Sequence, residues 1–164
     1  MSMDSNPLQK LYFSYNQFMV YDASVRLPGC AWTDQHFAQG FARRESTVNF
    51  ATLLEFGYAH VEIGNVYQAQ REYSRVIAVP FLVTSGKIEV AGPEEVGVKR
   101  VFPMPGGNYR LVAAQRLVDD EDESIDLYFE PVSQPLRHSS VLVADSTLRV
   151  PLLLLESSEI AGEL

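Results

Sequence analysis

Acidic side chains crowd one stretch of the sequence, and they are the residues whose type and spacing could do chemistry. Seven of the 21 acidic residues lie between positions 119 and 130, where no Lys or Arg occurs, and the formal net charge of the chain is −8. Carboxylates this close together repel one another unless water, a cation or a basic partner compensates their charge. The stretch is therefore either a solvated hairpin tip or a surface that binds a basic partner. Its acids are Asp119, Asp120, Glu121, Asp122, Glu123, Asp126 and Glu130.

The sequence has none of the motifs that usually mark a catalytic or metal site. His36, His60 and His138 are not spaced as metal ligands, and neither a P-loop nor a GxSxG elbow occurs. Cys30 would need a base partner to act as a nucleophile. The acidic stretch lacks the glycine and the alternating spacing of an EF-hand loop, which leaves at most a weak adventitious cation site. We therefore expect a protein without enzymatic activity, bound metal or cofactor.

Length, composition and charge exclude several classes of protein. The 164 residues suffice for one domain with a sizeable core, and the 46% hydrophobic and 21% charged fractions are typical of globular proteins. The negative net charge argues against direct binding to nucleic acid or anionic membranes, because phosphates would be repelled. The single cysteine excludes an intrachain disulfide. No signal peptide is recognisable, and the longest apolar run, Val150 to Leu155, is far too short to span a bilayer. We expect a soluble, cytoplasmic protein.

Most of the chain has the period-two alternation and the β-branched or aromatic content that are typical of strands. Leu11 to Tyr21 predicts one continuous strand. Pro80, inside the run from Tyr73 to Thr84, predicts an edge or a bulge, because proline cannot donate a hydrogen bond to a ladder. Further strands are expected at Val48–Leu53, Tyr58–Ile63, Lys87–Val90, Gly97–Phe102, Tyr109–Leu117 and Ile125–Glu130.

One helix is expected, with Thr33 as its N-cap and an end at about Arg43. Phe37 and the tryptophan before the cap have the spacing of a hydrophobic staple. Phe37 and Phe41, four residues apart, would form a narrow apolar stripe that docks on a sheet. Gly40 between them weakens the helix and suggests a close approach to another element.

Short strands with turn signals between them, and a single helix, predict a mainly β protein. The expected fold is an antiparallel β-sandwich of about 7–9 strands with one short helix. Residues 8–132 should form this domain, because the pattern loosens after Pro131. Residues 133–164 are a C-terminal extension that either adds edge strands, at Ser140 to Ala144 and Leu148 to Leu155, or remains a mobile tail.

Five short patches of sequence carry a resemblance to a known family. They are Ser14-Tyr15-Asn16-Gln17-Phe18, Trp32-Thr33-Asp34, Gly40-Phe41-Ala42, Val79-Pro80-Phe81-Leu82-Val83-Thr84 and Asn108-Tyr109-Arg110-Leu111. In this order and spacing they resemble competence protein J, the inhibitor of the DNA-entry nuclease of transformable bacteria, over residues 8–132. The resemblance implies a small acidic protein without catalytic activity that binds a nuclease and blocks it. Proteins of this family end near the strand Ile125 to Val132, so residues 133–164 are an addition.

The acidic stretch is the predicted partner-binding surface. A nuclease active site must attract a polyanion, so it presents Lys, Arg and often a divalent metal. Clustered carboxylates on a rigid surface could occupy such a site in place of phosphates, and opposite charge speeds the encounter. Neutralising Asp119, Asp120, Asp122 and Glu123 together is expected to weaken inhibition without lowering thermal stability.

The strand after the tip is expected to continue this surface. Alternation directs Ile125, Leu127 and Phe129 to the core and Asp126, Tyr128 and Glu130 outward. The predicted partner-binding residues are Asp119, Asp120, Glu121, Asp122, Glu123, Asp126, Tyr128 and Glu130.

Several alternatives stay open on the sequence. The aromatic residues of the predicted helix are a second candidate binding surface, although aromatics are more often core residues. The same inhibitor could act as an immunity protein against a toxin with such a nuclease domain. Fold alone does not distinguish it from a carbohydrate- or small-ligand-binding β-sandwich module, or from a metal-dependent hydrolase. The sequence also leaves open whether the free protein forms a homodimer through a strand edge.

Overall fold

The computed structural model describes residues 10–69, 71–93, 99–151 and 153–161, and within them it contains eleven strands and one short helix. The mainly β class and the single short helix are as the sequence predicts, but the strands outnumber the expected figure. The elements in chain order are β1 (Lys10–Phe13), β2 (Gln17–Asp22), α1 (Asp34–Gln39), β3 (Phe41–Arg44), β4 (Thr47–Ala51), β5 (Gly57–Gly64), β6 (Arg75–Val83), β7 (Lys87–Ala91), β8 (Arg100–Pro103), β9 (Gly107–Leu117), β10 (Asp122–Val132) and β11 (Ser140–Val143).

The strands form two sheets whose inner faces share one core. The first sheet has the order β1-β5-β10-β9-β6-β11, and the second has the order β3-β4-β2-β7-β8. Pairing among the described strands is antiparallel except between β5 and β10, which run parallel. Phe18 and Phe50 of the second sheet and Leu111 and Leu127 of the first belong to the same buried apolar cluster. This shared cluster is the packing expected of a sandwich.

The predicted strand from Leu11 to Tyr21 is wrong, because the chain turns inside it and passes from one sheet to the other. Tyr15 and Asn16 adopt left-handed backbone conformations, with φ of 54° and 58°. The Asn16 side-chain amide donates to the Thr52 carbonyl at 2.6 Å and to the Leu54 carbonyl at 3.1 Å. Asn tolerates this conformation better than most residues, so a local signal for the turn was present.

Helix α1 begins and ends as capping rules require. Thr33 is the N-cap, and the His36 imidazole accepts a hydrogen bond from the Thr33 N–H through Nδ1, at 2.9 Å, to complete a capping box. The helix ends at Gly40, whose φ is 89°. A Cβ atom on Gly40 would lie 3.0 Å from a Leu148 methyl and 3.1 Å from an Ile77 methyl. The expected close approach at this glycine is therefore present.

The helix is shorter than predicted, so its aromatics have separate roles. It does not reach Arg43, because β3 begins directly after the capping glycine. Phe41 is consequently a fully buried strand residue, whereas Phe37 is 58% exposed, and the two do not form a stripe. The staple itself is present, since the Trp32 and Phe37 rings lie 4.9 Å apart between centroids.

Pro80 was predicted to mark an edge strand or a bulge, but β6 is an inner strand between β9 and β11 and lacks a neighbour only locally. It pairs with β9 along its whole length, whereas β11 pairs only with the part from Val76 to Ala78. Pro80 thus has a strand partner only on the β9 side, and on the other side no strand requires the N–H that proline lacks. The short strand expected to end at Phe102 appears as β8, and residues 94–98 lie outside the described part of the chain.

The described part of the C-terminal extension packs against the domain. Strand β11 extends the first sheet as the edge neighbour of β6, but the strand predicted from Leu148 to Leu155 is absent from the described residues there. That segment instead crosses α1, where the Gln39 amide donates to the Leu155 carbonyl at 3.0 Å and accepts from its N–H at 2.8 Å. His36 Nε2 meets the Ser157 carbonyl at 3.0 Å. Side chains of the helix thus form the hydrogen bonds with this backbone that a neighbouring strand would otherwise form.

Candidate functional site

The connection between β9 and β10 places three consecutive carboxylates in solvent. Asp119, Asp120 and Glu121, here called the acidic tip, are all exposed. Asp119 Oδ1 accepts hydrogen bonds from the Glu121 N–H at 2.8 Å and the Asp122 N–H at 2.9 Å. The first of these bonds, with help from the second, lowers the pKa of the Asp119 carboxyl below its usual value. The tip is therefore a charged turn with a defined backbone.

Asp122, the next carboxylate, is half-buried and compensated by its neighbours. Its Oδ1 lies 3.5 Å from Lys10 Nζ and 3.5 Å from His60 Nε2. These groups come from β5, which pairs with β10, and from β1, the next strand beyond β5 in the first sheet. Asp122 therefore contributes less unbalanced charge than the three acids that precede it.

Glu123 is not part of any surface, which corrects its assignment as a partner-binding residue. Its side chain is fully buried, and Oε1 accepts from the Leu53 N–H at 3.0 Å and the Leu54 N–H at 3.1 Å. Oε2 accepts from the Gln115 amide at 3.3 Å. Burial raises the pKa of the Glu123 carboxyl, although these hydrogen bonds oppose the shift. Glu123 thus holds the connection between β4 and β5 against the base of the hairpin.

The next two predicted residues lie on the outer face of β10, as alternation requires, but they do not face solvent. Asp126 is 5% exposed and Tyr128 is 6% exposed. The connection between β5 and β6 covers them: the Tyr73 hydroxyl lies 2.7 Å from Asp126 Oδ2 and 2.7 Å from the Tyr128 hydroxyl. Arg71 Nη1 is 3.6 Å from Asp126. The expectation that these two side chains are exposed is wrong, because a distant segment packs over them.

Glu130, at the far end of β10, is half-buried and paired. It accepts from the Tyr67 N–H at 2.9 Å and from Arg110 Nη1 at 2.7 Å. Of the eight predicted residues, the structure thus brings only the acidic tip together as free, exposed charge. The remaining carboxylates along β10 stabilise the packing of β1, β5 and the covering connection.

The end of the molecule that carries the acidic tip also exposes aromatic side chains that the sequence did not connect with it. The Tyr58 N–H donates to the Glu121 carbonyl at 2.9 Å, and the Asn16 N–H donates to the Glu55 carbonyl at 2.7 Å. The segment from Glu55 to Tyr58 therefore links the acidic tip to the turn between β1 and β2. On this link Phe56 is 64% exposed, and on the turn Tyr15 is 70% exposed. The available sequence signal was Asn16, because Asn tolerates the left-handed conformation that this turn requires.

Other residues that could do chemistry have structural surroundings. Cys30 is buried, and its N–H donates to Asn49 Oδ1 at 2.7 Å. His36 is fixed by the helix cap and the extension, His60 faces Asp122, and His138 is exposed. Within the described ranges, His, Cys, Asp and Glu side chains nowhere form a group of three that could hold a metal ion. No helix among the same residues is long and apolar enough to cross a membrane.

Comparisons with known proteins agree on one family. The model of the family described as Competence protein J (ComJ) matches residues 10–132. A protein of Bacillus subtilis (strain 168) named DNA-entry nuclease inhibitor is 27% identical over 121 residues, which cover 73% of this chain and 89% of that protein. A crystal structure of ComJ, inhibitor of the DNA-degrading activity of NucA, from Bacillus subtilis has a similar fold. The match between the two structures has a TM-score of 0.65 and 23% sequence identity, and it covers 76% of this chain and 94% of the ComJ chain.

Proposed function

Because the chain belongs to the competence protein J family, we propose that it is a non-catalytic inhibitor that binds a DNA-entry-type nuclease and blocks it. The name of the Bacillus subtilis relative, DNA-entry nuclease inhibitor, supports this function. The partner is then the nuclease protein rather than its DNA substrate, because a surface rich in carboxylates repels phosphates. A cytoplasmic location completes the proposal, in keeping with a single, buried, unpaired cysteine.

The observation that carries the mechanism is the exposure of the acidic tip on a defined hairpin turn. A nuclease attracts DNA with Lys, Arg and often a divalent metal around the scissile phosphate. Three consecutive carboxylates, Asp119, Asp120 and Glu121, offer negative charge at a spacing that a flexible chain could not maintain. In the proposed complex they occupy the region where DNA phosphates bind, so inhibitor and substrate exclude each other.

The surroundings of the acidic tip keep its charge available and its shape constant. Asp122 and the carboxylates beyond it are already paired within the protein, whereas the tip has no cation beside it at ion-pair distance among the described residues. The backbone of the tip is tied to β5 through Tyr58. Uncompensated charge favours a fast encounter with a basic site, and a rigid turn loses little conformational entropy on binding.

The test compares two variants that lose the same three charges at different places. The tip variant is Asp119→Asn, Asp120→Asn and Glu121→Gln, in which the amide that replaces the Asp119 carboxyl keeps an oxygen to accept the two turn hydrogen bonds. The control variant is Glu45→Gln, Glu72→Gln and Glu159→Gln, which removes three exposed carboxylates elsewhere. We expect the tip variant to inhibit a DNA-entry-type nuclease at least about tenfold more weakly, or about 1.4 kcal/mol. The control should stay within about threefold of the wild type. Equal inhibition by both variants would refute the role of the tip.

A further inference from the structure

Tyr15 is held in an unfavourable conformation that leaves its ring in solvent. Its φ of 54° lies in the left-handed region, which a bulky side chain rarely adopts, and the following residue has a φ of 58°. Tyr15 is 70% exposed as a residue, so burial of the side chain does not offset the backbone strain. Strained residues of this kind persist where their surroundings over-determine them, and they cluster at functional sites.

Hydrogen bonds from the surrounding residues hold the turn in this conformation. The Asn16 side chain donates to the Thr52 carbonyl, the Thr52 hydroxyl and the Leu54 carbonyl at 2.6, 2.9 and 3.1 Å. Its backbone N–H donates to the Glu55 carbonyl at 2.7 Å, and its carbonyl accepts from the Thr52 N–H at 3.0 Å. Five hydrogen bonds thus fix the residue next to Tyr15, and the ring of Tyr15 projects from a rigid base.

A second exposed aromatic lies on the segment that holds this turn. Phe56 is 64% exposed and follows Glu55, which is itself exposed. The next residue, Gly57, approaches the Glu121 carbonyl so closely that a Cβ atom there would overlap it. Tyr15, Phe56 and the acidic tip are therefore parts of one end of the molecule, joined by short backbone contacts.

We propose that Tyr15 and Phe56 are apolar anchors of the nuclease-binding surface, which place their rings against Arg and Lys side chains beside the nuclease active site. The proposal rests on the inhibitor function stated above. Charge decides the occupant. Glu55 and the acidic tip place exposed carboxylates at the same end of the molecule as the two rings, so a basic protein surface fits there and an acidic one does not. Guanidinium groups stack on aromatic faces, and the apolar stems of Arg and Lys pack against them.

The two parts of the surface should respond differently to salt. Attraction between the exposed carboxylates and the basic site is screened as ionic strength rises. Burial of aromatic rings is not screened, and aromatic residues dominate the energetics of many interfaces. The anchors therefore account for the affinity that remains at high salt, and the acidic tip accounts for the salt-dependent part.

The test is calorimetric titration of a DNA-entry-type nuclease from the same genome at low and at high salt. The aromatic variant is Tyr15→Asn with Phe56→Ser, because Asn adopts the left-handed conformation readily and should leave thermal stability unchanged or higher. The control is Val101→Ser, which removes a 52% exposed apolar side chain from β8 in the other sheet. We expect the aromatic variant to bind at least about tenfold more weakly at both salt concentrations. The control should bind like the wild type.

Three results would overturn the inference, and they are distinguishable. An aromatic variant that binds within about twofold of the wild type, while the tip variant is weakened, refutes the anchors and leaves the inhibitor function standing. If the aromatic variant binds more weakly than the wild type at low salt but equally well at high salt, the apolar role of the rings is refuted. A wild-type protein that neither binds nor inhibits the nuclease refutes the inhibitor function and the anchors together.

Discussion

Arg75 and Asp145 form a bidentate ion pair, with Nε to Oδ1 at 2.8 Å and Nη2 to Oδ2 at 3.0 Å. Arg75 is 3% exposed and also donates to the Ala51 carbonyl at 2.9 Å and the Thr147 hydroxyl at 2.8 Å. Arg75 begins β6 of the first sheet, and Ala51 ends β4 of the second. One guanidinium therefore connects both sheets to residues that follow the family-matched region.

Asp145→Ala should destabilise the protein by about 3 kcal/mol, because it leaves the buried Arg75 charge without its partner. The measurement is the free energy of unfolding from urea titration. Lys99→Ala is the control: it removes the exposed lysine from its pair with Glu89 and should cost less than about 1 kcal/mol. Equal costs for the two variants would show that the extension is not held by Arg75.

The same pair should weaken in acid. Burial would raise the pKa of Asp145, but hydrogen bonds from Arg75 and Thr147 outweigh it and lower the pKa below the ordinary 3.8. A carboxyl with a lowered pKa contributes stability above the unfolded-state pKa and loses it as pH falls through the folded-state value. The stability difference between the wild type and Asp145→Ala should thus be constant near neutral pH and shrink below 3.8. A stability difference that stays constant below pH 3.8 would contradict the ion pair between Arg75 and Asp145.

Gly40→Ala should destabilise the protein through both backbone strain and packing. Gly86→Ala is the matched control, because Gly86 has a similar φ of 82° against 89° for Gly40, but a Cβ there would meet no atom within 4 Å. The control should lose about 1 kcal/mol from strain alone. Gly40→Ala should lose about 1–3 kcal/mol more, because its Cβ would press on Leu148 and Ile77. Equal losses in thermal or urea unfolding would mean that the contact with Leu148 is not tight.

Glu123 should make folding less favourable as pH rises. Burial raises its pKa above the ordinary 4.5, so from that pH upward the unfolded chain releases this proton before the folded protein does. The stability contribution of Glu123 is therefore fully present below 4.5 and is lost as pH rises through the folded-state value. Glu123→Gln removes this dependence while its carbonyl oxygen can still accept from the Leu53 and Leu54 N–H groups.

The measurement is the free energy of unfolding of the wild type minus that of Glu123→Gln, from acid to neutral pH. We expect this difference to fall as pH rises. Glu123→Ala is the companion variant and should be about 2 kcal/mol less stable than Glu123→Gln at each of these pH values, because it leaves the two N–H groups without their acceptor. A difference that rises with pH would contradict the assignment of Glu123 as a buried acid.

Local sequence signals were sufficient wherever a residue's own neighbours decide its conformation. Thr33 as N-cap follows from side-chain chemistry, and the burial of Ile125, Leu127 and Phe129 follows from alternation. Glu123 has the same parity as these three, so extending the strand by two residues would have placed it inside. The helix end at Gly40 was also available from the preference for glycine at this position.

The remaining differences come from contacts between distant segments. Asp126 and Tyr128 point away from the core as predicted, but Tyr73, more than fifty residues earlier in the chain, covers them. No periodicity within β10 contains that information. The segment after Leu148 has strand-like composition, yet Gln39 and His36 satisfy its backbone groups and remove the need for a strand partner.

The most direct test of the central claim is to titrate a DNA-entry-type nuclease from the same genome with the wild-type protein and to follow DNA cleavage. The account predicts a linear loss of activity that ends at a fixed molar ratio, with a complex visible by size exclusion. The loss should be reproduced by the control variant that lacks the carboxylates of Glu45, Glu72 and Glu159 but not by the variant of the acidic tip. Full nuclease activity at an excess of the wild-type protein, with no complex, would contradict it.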